Sequence, residues 1–139
     1  MAWDFQTEPE FEEQLQWMRQ VVDEEIIPLE GLPKEVRHDR EAMNRITAPL
    51  KQQVKDRGLW AAHLPPELGG GGFGQVKLGL MHEILGRTAF GPSTFGNNAP
   101  DSGYAELLSL GGTDEQKRQW MEPLLAGELR SAFSMTEPH

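Results

Sequence analysis

Apolar residues recur along most of this chain at spacings of three and four, the period of a helix with one buried face. Phe11, Leu15, Met18, Val22 and Ile26 form the first stripe, with Glu12, Glu13, Arg19, Asp23 and Glu24 between them. Thr7 and Glu10 stand where a capping box places its N-cap and the carboxylate three residues later. Pro28 marks the predicted end, since helices rarely run past the residue before a proline. A second helical region is predicted over 39–57, with Leu50 and Val54 inward, a fresh start or kink at Thr47 and Pro49, and Gly58 just past its end. A third is predicted over 75–87, with Val76, Leu80, Ile84 and Leu85 inward. Asp101 is placed to cap a short helix carrying Tyr104, Leu107 and Leu108, which Gly111 ends. Thr113 and Gln116 make a second capping-box pair, for a helix that carries Trp120 and ends before Pro123.

Gly127 then breaks the helical pattern. Residues 129–135 are short, partly alternating and poor in helix signals, which predicts a strand. The fold class that results is all-α: a bundle of about five helices with long loops, plus one short C-terminal strand. The two longest connections are "LWAAHLPPELGGGGFG" and "AFGPSTFGNNAP". Loops of that length in a compact domain often line a site or contact another domain.

Composition narrows the function classes. The chain has 139 residues, 37% hydrophobic and 25% charged, enough for one domain with a real core. No apolar run is long enough to span a membrane. The acidic start "MAWDFQTEPEFEEQ" has neither the basic, then apolar, pattern of a secretory signal nor the Arg-rich pattern of a transit peptide, so a cytoplasmic location is expected. There is no cysteine, which excludes disulfides, a thiolate nucleophile and Cys-based zinc sites. A formal charge of −9 without a concentrated basic patch argues against nucleic acid as a partner.

Few motifs survive a test of context. Gly69-x-Gly71-x-x-Gly74 matches the dinucleotide fingerprint in form, but Pro65 and Pro66 precede it where a parallel strand is required. His82 and Glu83 begin like a zinc-protease helix, yet the second ligand position, four residues on, is Gly86. His38 and His63 have no metal-ligand spacing, so no metal site is predicted. Carboxylate pairs abound among the 22 acidic residues without an apolar setting to single one out. Trp17, Trp60 and Trp120 lie in or near apolar patterns and are expected in the core.

The second half of the chain carries a more specific signal. Gly112-Thr113-Asp114-Glu115-Gln116-Lys117 is followed by Pro123-Leu124-Leu125-Ala126-Gly127-Glu128, and then by Thr136-Glu137-Pro138. Upstream, "GLWAAHLPPELGGGGFG" leads to "HEILGRTAFGPSTFGNNAP". In this order the segments resemble the acyl-CoA dehydrogenase family, in which a G-T-x-E-Q-K helix, a P-x-L-x-x-G-E turn and a strand ending in T-E-P follow one another. The resemblance covers most of the chain from about Gly58. It implies that residues 1–128 form the family's N-terminal helical domain and that 129–139 open a middle β-domain which the chain does not complete.

The resemblance also implies chemistry: α,β-dehydrogenation of an acyl-CoA thioester in fatty-acid metabolism, with hydride passing to FAD. It places Phe133, Ser134, Met135, Thr136, Glu137 and Pro138 at the cofactor, with backbone groups near Met135 and Thr136 on the flavin's polar edge. The family's catalytic glutamate belongs to a C-terminal bundle not present here, so no catalytic residue is assigned and the isolated chain is expected to be inactive. An electron-transfer acceptor and a homo-oligomer are the partners implied. The competing reading is a non-catalytic helical module that pairs with a separate flavoprotein chain.

Overall fold

The computed structural model describes residues 6–136, and the all-helical expectation holds there. The first helix, α1, is Pro9–Val21. Phe11, Leu15 and Met18 are buried along it, and Val22 and Ile26 continue the stripe. Its cap differs from the expected box. Glu8 occupies the N-cap without a side-chain bond, and the Thr7 hydroxyl instead donates to Glu12 Oε2 at 2.8 Å. Pro9, with its fixed φ and no amide hydrogen, suits the first helical position and so moves the start by one residue.

The chain does not stop at Pro28. After α1 it widens into a π turn, Val22–Ile26, then tightens into a 3₁₀ turn, Ile27–Gly31. A proline clashes with the carbonyl four residues back in a regular α-helix. A wider turn ahead of the ring relieves that clash, and the same device recurs before Pro123.

Next come α2 (Lys34–His38) and α3 (Arg40–Asp56). Asp39 caps α3, its Oδ1 accepting from the amides of Glu41 and Ala42 at 2.9 and 3.1 Å. α3 runs through Pro49 without a fresh start, burying Thr47, Leu50 and Val54. α4 is Gly74–Leu85. Its buried residues are Leu78, Met81, Ile84 and Leu85, while Val76, expected inward, is exposed. These side chains close over α1 and the 3₁₀ turn, with Leu59 and Phe95 from the long connections filling the centre. Thr88 Oγ1 and the Ala89 amide both donate to Glu30 Oε1, at 2.7 and 3.0 Å, tying the 3₁₀ turn to the far end of α4.

The long connections are packed. In 57–73, Leu59, Ala61, Ala62 and Leu64 are buried, and the glycine run folds back on it. Gly72 N donates to the Leu64 carbonyl at 3.1 Å, and a Cβ at Gly70 would collide with that carbonyl. The glycines here serve close backbone approach. No strand precedes them among the described residues, so the dinucleotide reading lacks its supporting element.

α5 is the short Gly91–Thr94, and α6 is Asp101–Gly111. α7 (Asp114–Gln116), the second π turn (Lys117–Met121) and α8 (Glu122–Ala126) form one continuous run that carries on through Pro123. The Thr113–Gln116 capping box is formed on both sides. Gly127, left-handed at φ 85°, ends the run. This last arm packs on α6 around a small core of Ala61, Leu64 and Ala105, with Trp60, Leu124 and Leu125 against it. Trp17 and Trp60 are partly buried against the core, but Trp120 is 51% exposed and is not a core residue.

The expected strand over 129–135 is not formed. Residues 129–136 carry no regular structure. A strand exists only through ladder bonds to a neighbour, and among the described residues none pairs with this segment.

Candidate functional site

The irregular segment is nevertheless held in one place. Asp101, expected to be an N-cap, is instead the first residue of α6, and its carboxylate turns to the segment. Its Oδ1 accepts from the Ser131 amide and the Ser131 hydroxyl, both at 2.7 Å. Its Oδ2 accepts from Asn98 Nδ2 at 3.1 Å and pairs with Arg130 Nε at 2.9 Å. Burial pushes the Asp101 carboxyl up. The donations from Ser131 and Asn98 and the Arg130 charge outweigh that effect and hold it below the usual carboxylate range. One turn along α6, the Tyr104 hydroxyl donates to the Ala132 carbonyl at 3.2 Å, and its ring lies 6.4 Å from that of Phe133.

These contacts open an apolar groove of about 460 Å³ on the outer face of α6. Ala99, Pro100, Gly103, Tyr104 and Leu107 line one side and Phe133 the other. Leu107 of α6 is 64% exposed along it. Phe133 is 66% and Met135 77% exposed, and Ser134 and Thr136 are exposed as well. No backbone–backbone hydrogen bond among the described residues uses 130–136. Of the six residues expected at a cofactor, Phe133, Ser134, Met135 and Thr136 therefore lie on one open segment beside an apolar wall. Glu137 and Pro138 lie outside the described residues.

The sequence marked Asp101 as a helix cap and Tyr104 as a residue of that helix, but neither these two nor Ser131 as anchors of this segment. The one signal available was the coincidence of a helix-start aspartate with a serine beyond the Gly127 break. The histidines do not converge on a metal, and among the described residues no group of three His, Cys, Asp or Glu could hold one. No helix among them is long and apolar enough to cross a membrane.

The family model for the acyl-CoA dehydrogenase N-terminal domain matches residues 8–128. The chain belongs to the acyl-CoA dehydrogenase family. It is 37% identical over 128 residues to acyl-CoA dehydrogenase family member 10 of Mus musculus, a match covering 86% of this chain and 12% of that protein. It is 46% identical over 89 residues to family member 11 of Pongo abelii, covering 64% of this chain and 11% of that one. In three dimensions it resembles a candidate acyl-CoA dehydrogenase from Mycobacterium abscessus, with a TM-score of 0.79, 38% identity, and coverage of 96% of this chain and 36% of that chain. The chain thus spans about a tenth of the length of the two mammalian-type relatives and about a third of the solved structure.

Proposed function

We propose that this chain is the N-terminal portion of a flavin-dependent acyl-CoA dehydrogenase and that the groove on α6 is its share of the active site. The domain assignment follows: residues 1–128 form the helical domain and the segment from 129 opens the middle domain. The observation that carries the reading is the groove itself. A family match over 8–128 coincides with an open apolar wall, and Phe133 of the segment that follows borders it.

The residues present fit a flat aromatic cofactor such as FAD. Such a group needs an apolar wall and a few fixed donors and acceptors. Phe133 and Met135 supply exposed apolar surface, and among the described residues the backbone groups of Ser134 and Thr136 have no backbone partner. A flavin held by this segment would supply the acceptor for the hydride of the acyl β-carbon. This chain's own residues bind and position. Asp101 and Tyr104 hold the segment against α6, while Leu107, Tyr104 and Phe133 offer apolar surface to an acyl chain and exclude water from it. None of the acidic residues here is assigned as the base that takes the α-proton. The acyl-CoA substrate, the electron acceptor, a homo-oligomeric state and a cytoplasmic location all belong to this same reading.

The test is an assay of the purified 139-residue chain with acyl-CoA, FAD and an artificial electron acceptor. The expected result is no steady turnover and no stoichiometric yellow complex, with both present in a longer chain that completes the domains. Steady turnover by the 139-residue chain would overturn the assignment of the base to a part outside it. A longer chain that neither binds FAD nor oxidises acyl-CoA would overturn the functional reading.

A further inference from the structure

A second cleft lies beside Trp60 and is lined by residues of α3 and of the 124–130 segment. It encloses about 30 Å³, room for one or two water-sized groups, beneath a wider mouth. Its polar lining includes Asn44 and Lys51 of α3, together with Arg130 and Asp101. In a chain of net charge −9, cations normally find carboxylates. None of the five ion pairs among the described residues includes Lys51. Its Nζ makes one long donation, to Asn44 Oδ1 at 3.4 Å.

The surroundings make this placement costly. Lys51 is half-buried, and Arg130 and Lys55 both act on it as like charges. Burial first, and then those two cations, push its ammonium below the usual lysine range. Asp101, the one carboxylate lining the cleft, already accepts from Ser131, Asn98 and Arg130. That leaves Lys51 short of a counter-charge. It also leaves the two Nη groups of Arg130 and the amide hydrogens of Asn44 without a partner among the described residues. Three side chains that carry donors therefore line one small cleft, whose charged groups, Lys51 and Arg130 against Asp101, leave one positive charge in excess.

We propose that this cleft binds an oxyanion, held by the Lys51 ammonium with the Asn44 side-chain amide and the Arg130 guanidinium as further donors. One oxygen enters the enclosed space and the rest of the group sits in the mouth. A free inorganic anion and the phosphate of a larger ester share this chemistry. The apolar rim of Trp60, Leu124 and Leu129 would favour an ester with an apolar body.

The experiment is calorimetric titration of the 139-residue chain at low, fixed ionic strength with inorganic phosphate and, separately, with phenyl phosphate. Wild type is expected to bind. Lys51→Met is expected to lose about tenfold to a hundredfold in affinity, the loss of one charge-assisted bond. Asn44→Ala, an exposed change that leaves the fold intact, is expected to weaken binding as well. Tighter binding of phenyl phosphate would identify an esterified ligand, and equal binding a free anion. With no anion present, Lys51→Met should raise the urea midpoint, because an uncompensated half-buried charge is gone. No binding by wild type, equal affinity in wild type and Lys51→Met, or a lower midpoint for Lys51→Met would each overturn the proposal.

Discussion

Asp101 shows how one side chain can set the geometry of a site it need not touch chemically. It collects four donations across the gap between α6 and the segment beyond Gly127. Its carboxyl is held below its ordinary value of 3.8, so the ionised form is the one that favours the folded state. The sign follows from linkage: the contribution is complete above that value and is lost as the pH falls through the lower, folded-state value. Asp101→Asn should therefore lower the urea midpoint at neutral pH, and the gap to wild type should close at acid pH, below the ordinary carboxyl value. Denaturation curves at a series of pH values measure this, and a gap that widens with acid would contradict the pairing. Gly70 makes a residue-scale prediction of a different kind. A methyl there meets the Leu64 carbonyl, so Gly70→Ala should cost about 1–3 kcal/mol by overpacking. A thermal or urea titration reads that cost directly.

At the level of elements, the helices are governed by their ends and by their prolines. The Thr113–Gln116 box is complete, with Gln116 N donating to Thr113 Oγ1 at 3.2 Å and Thr113 N to Gln116 Oε1 at 2.9 Å. Thr113→Ala should cost about 1 kcal/mol in urea denaturation, the usual worth of such a cap. The similar pattern at Thr7 and Glu10 does not form a box, because Pro9 fixes the start of α1 one residue later. Pro28 and Pro123 are each preceded by a five-residue π turn, and in both places the chain stays helical past the proline. Sequence rules about proline name the site of the disturbance. They do not say whether the chain breaks or widens there, since that depends on whether the residues beyond have something to pack against. Beyond Pro28, Leu29 is buried in the core, and beyond Pro123, Leu124 and Leu125 pack on the second cluster.

On the scale of the whole molecule, the core and the candidate site occupy different ends. The core lies between α1, α3 and α4, where the side chains are almost fully enclosed. α6 buries only Ala105 and turns Leu107 and Leu110 outward, so among the described residues these two leucines are left largely uncovered. Such a face should bind a hydrophobic dye. Leu107→Gln combined with Phe133→Ser should reduce that binding markedly while leaving the urea midpoint near that of wild type, since both residues are more exposed than buried. A large fall in midpoint would show instead that the two residues support the fold. The segment from 129 belongs to this open end. As an isolated strand it would need ladder partners, and here side-chain anchors on α6 hold it in their place.

Several features were determined by the sequence alone, for physical reasons that act over short distances. The stripe from Phe11 to Ile26, the inward Leu50 and Val54, the Thr113 cap and the Gly127 stop depend on periodicity and on local hydrogen bonds. The motifs from Gly112 onward were enough to suggest the family. Other features were decided by the tertiary structure. Val76 and Leu107 are as apolar as their buried neighbours, and only the angle at which each helix docks turns them outward. Trp120 is exposed for the same reason. The expected strand needed a neighbouring strand, which no local pattern can supply. Asp101 and Ser131 lie thirty residues apart, and Lys51 faces Arg130 across a cleft built by four separate segments. Contacts of that kind depend on how the chain closes, and a single sequence records the residues without the closure.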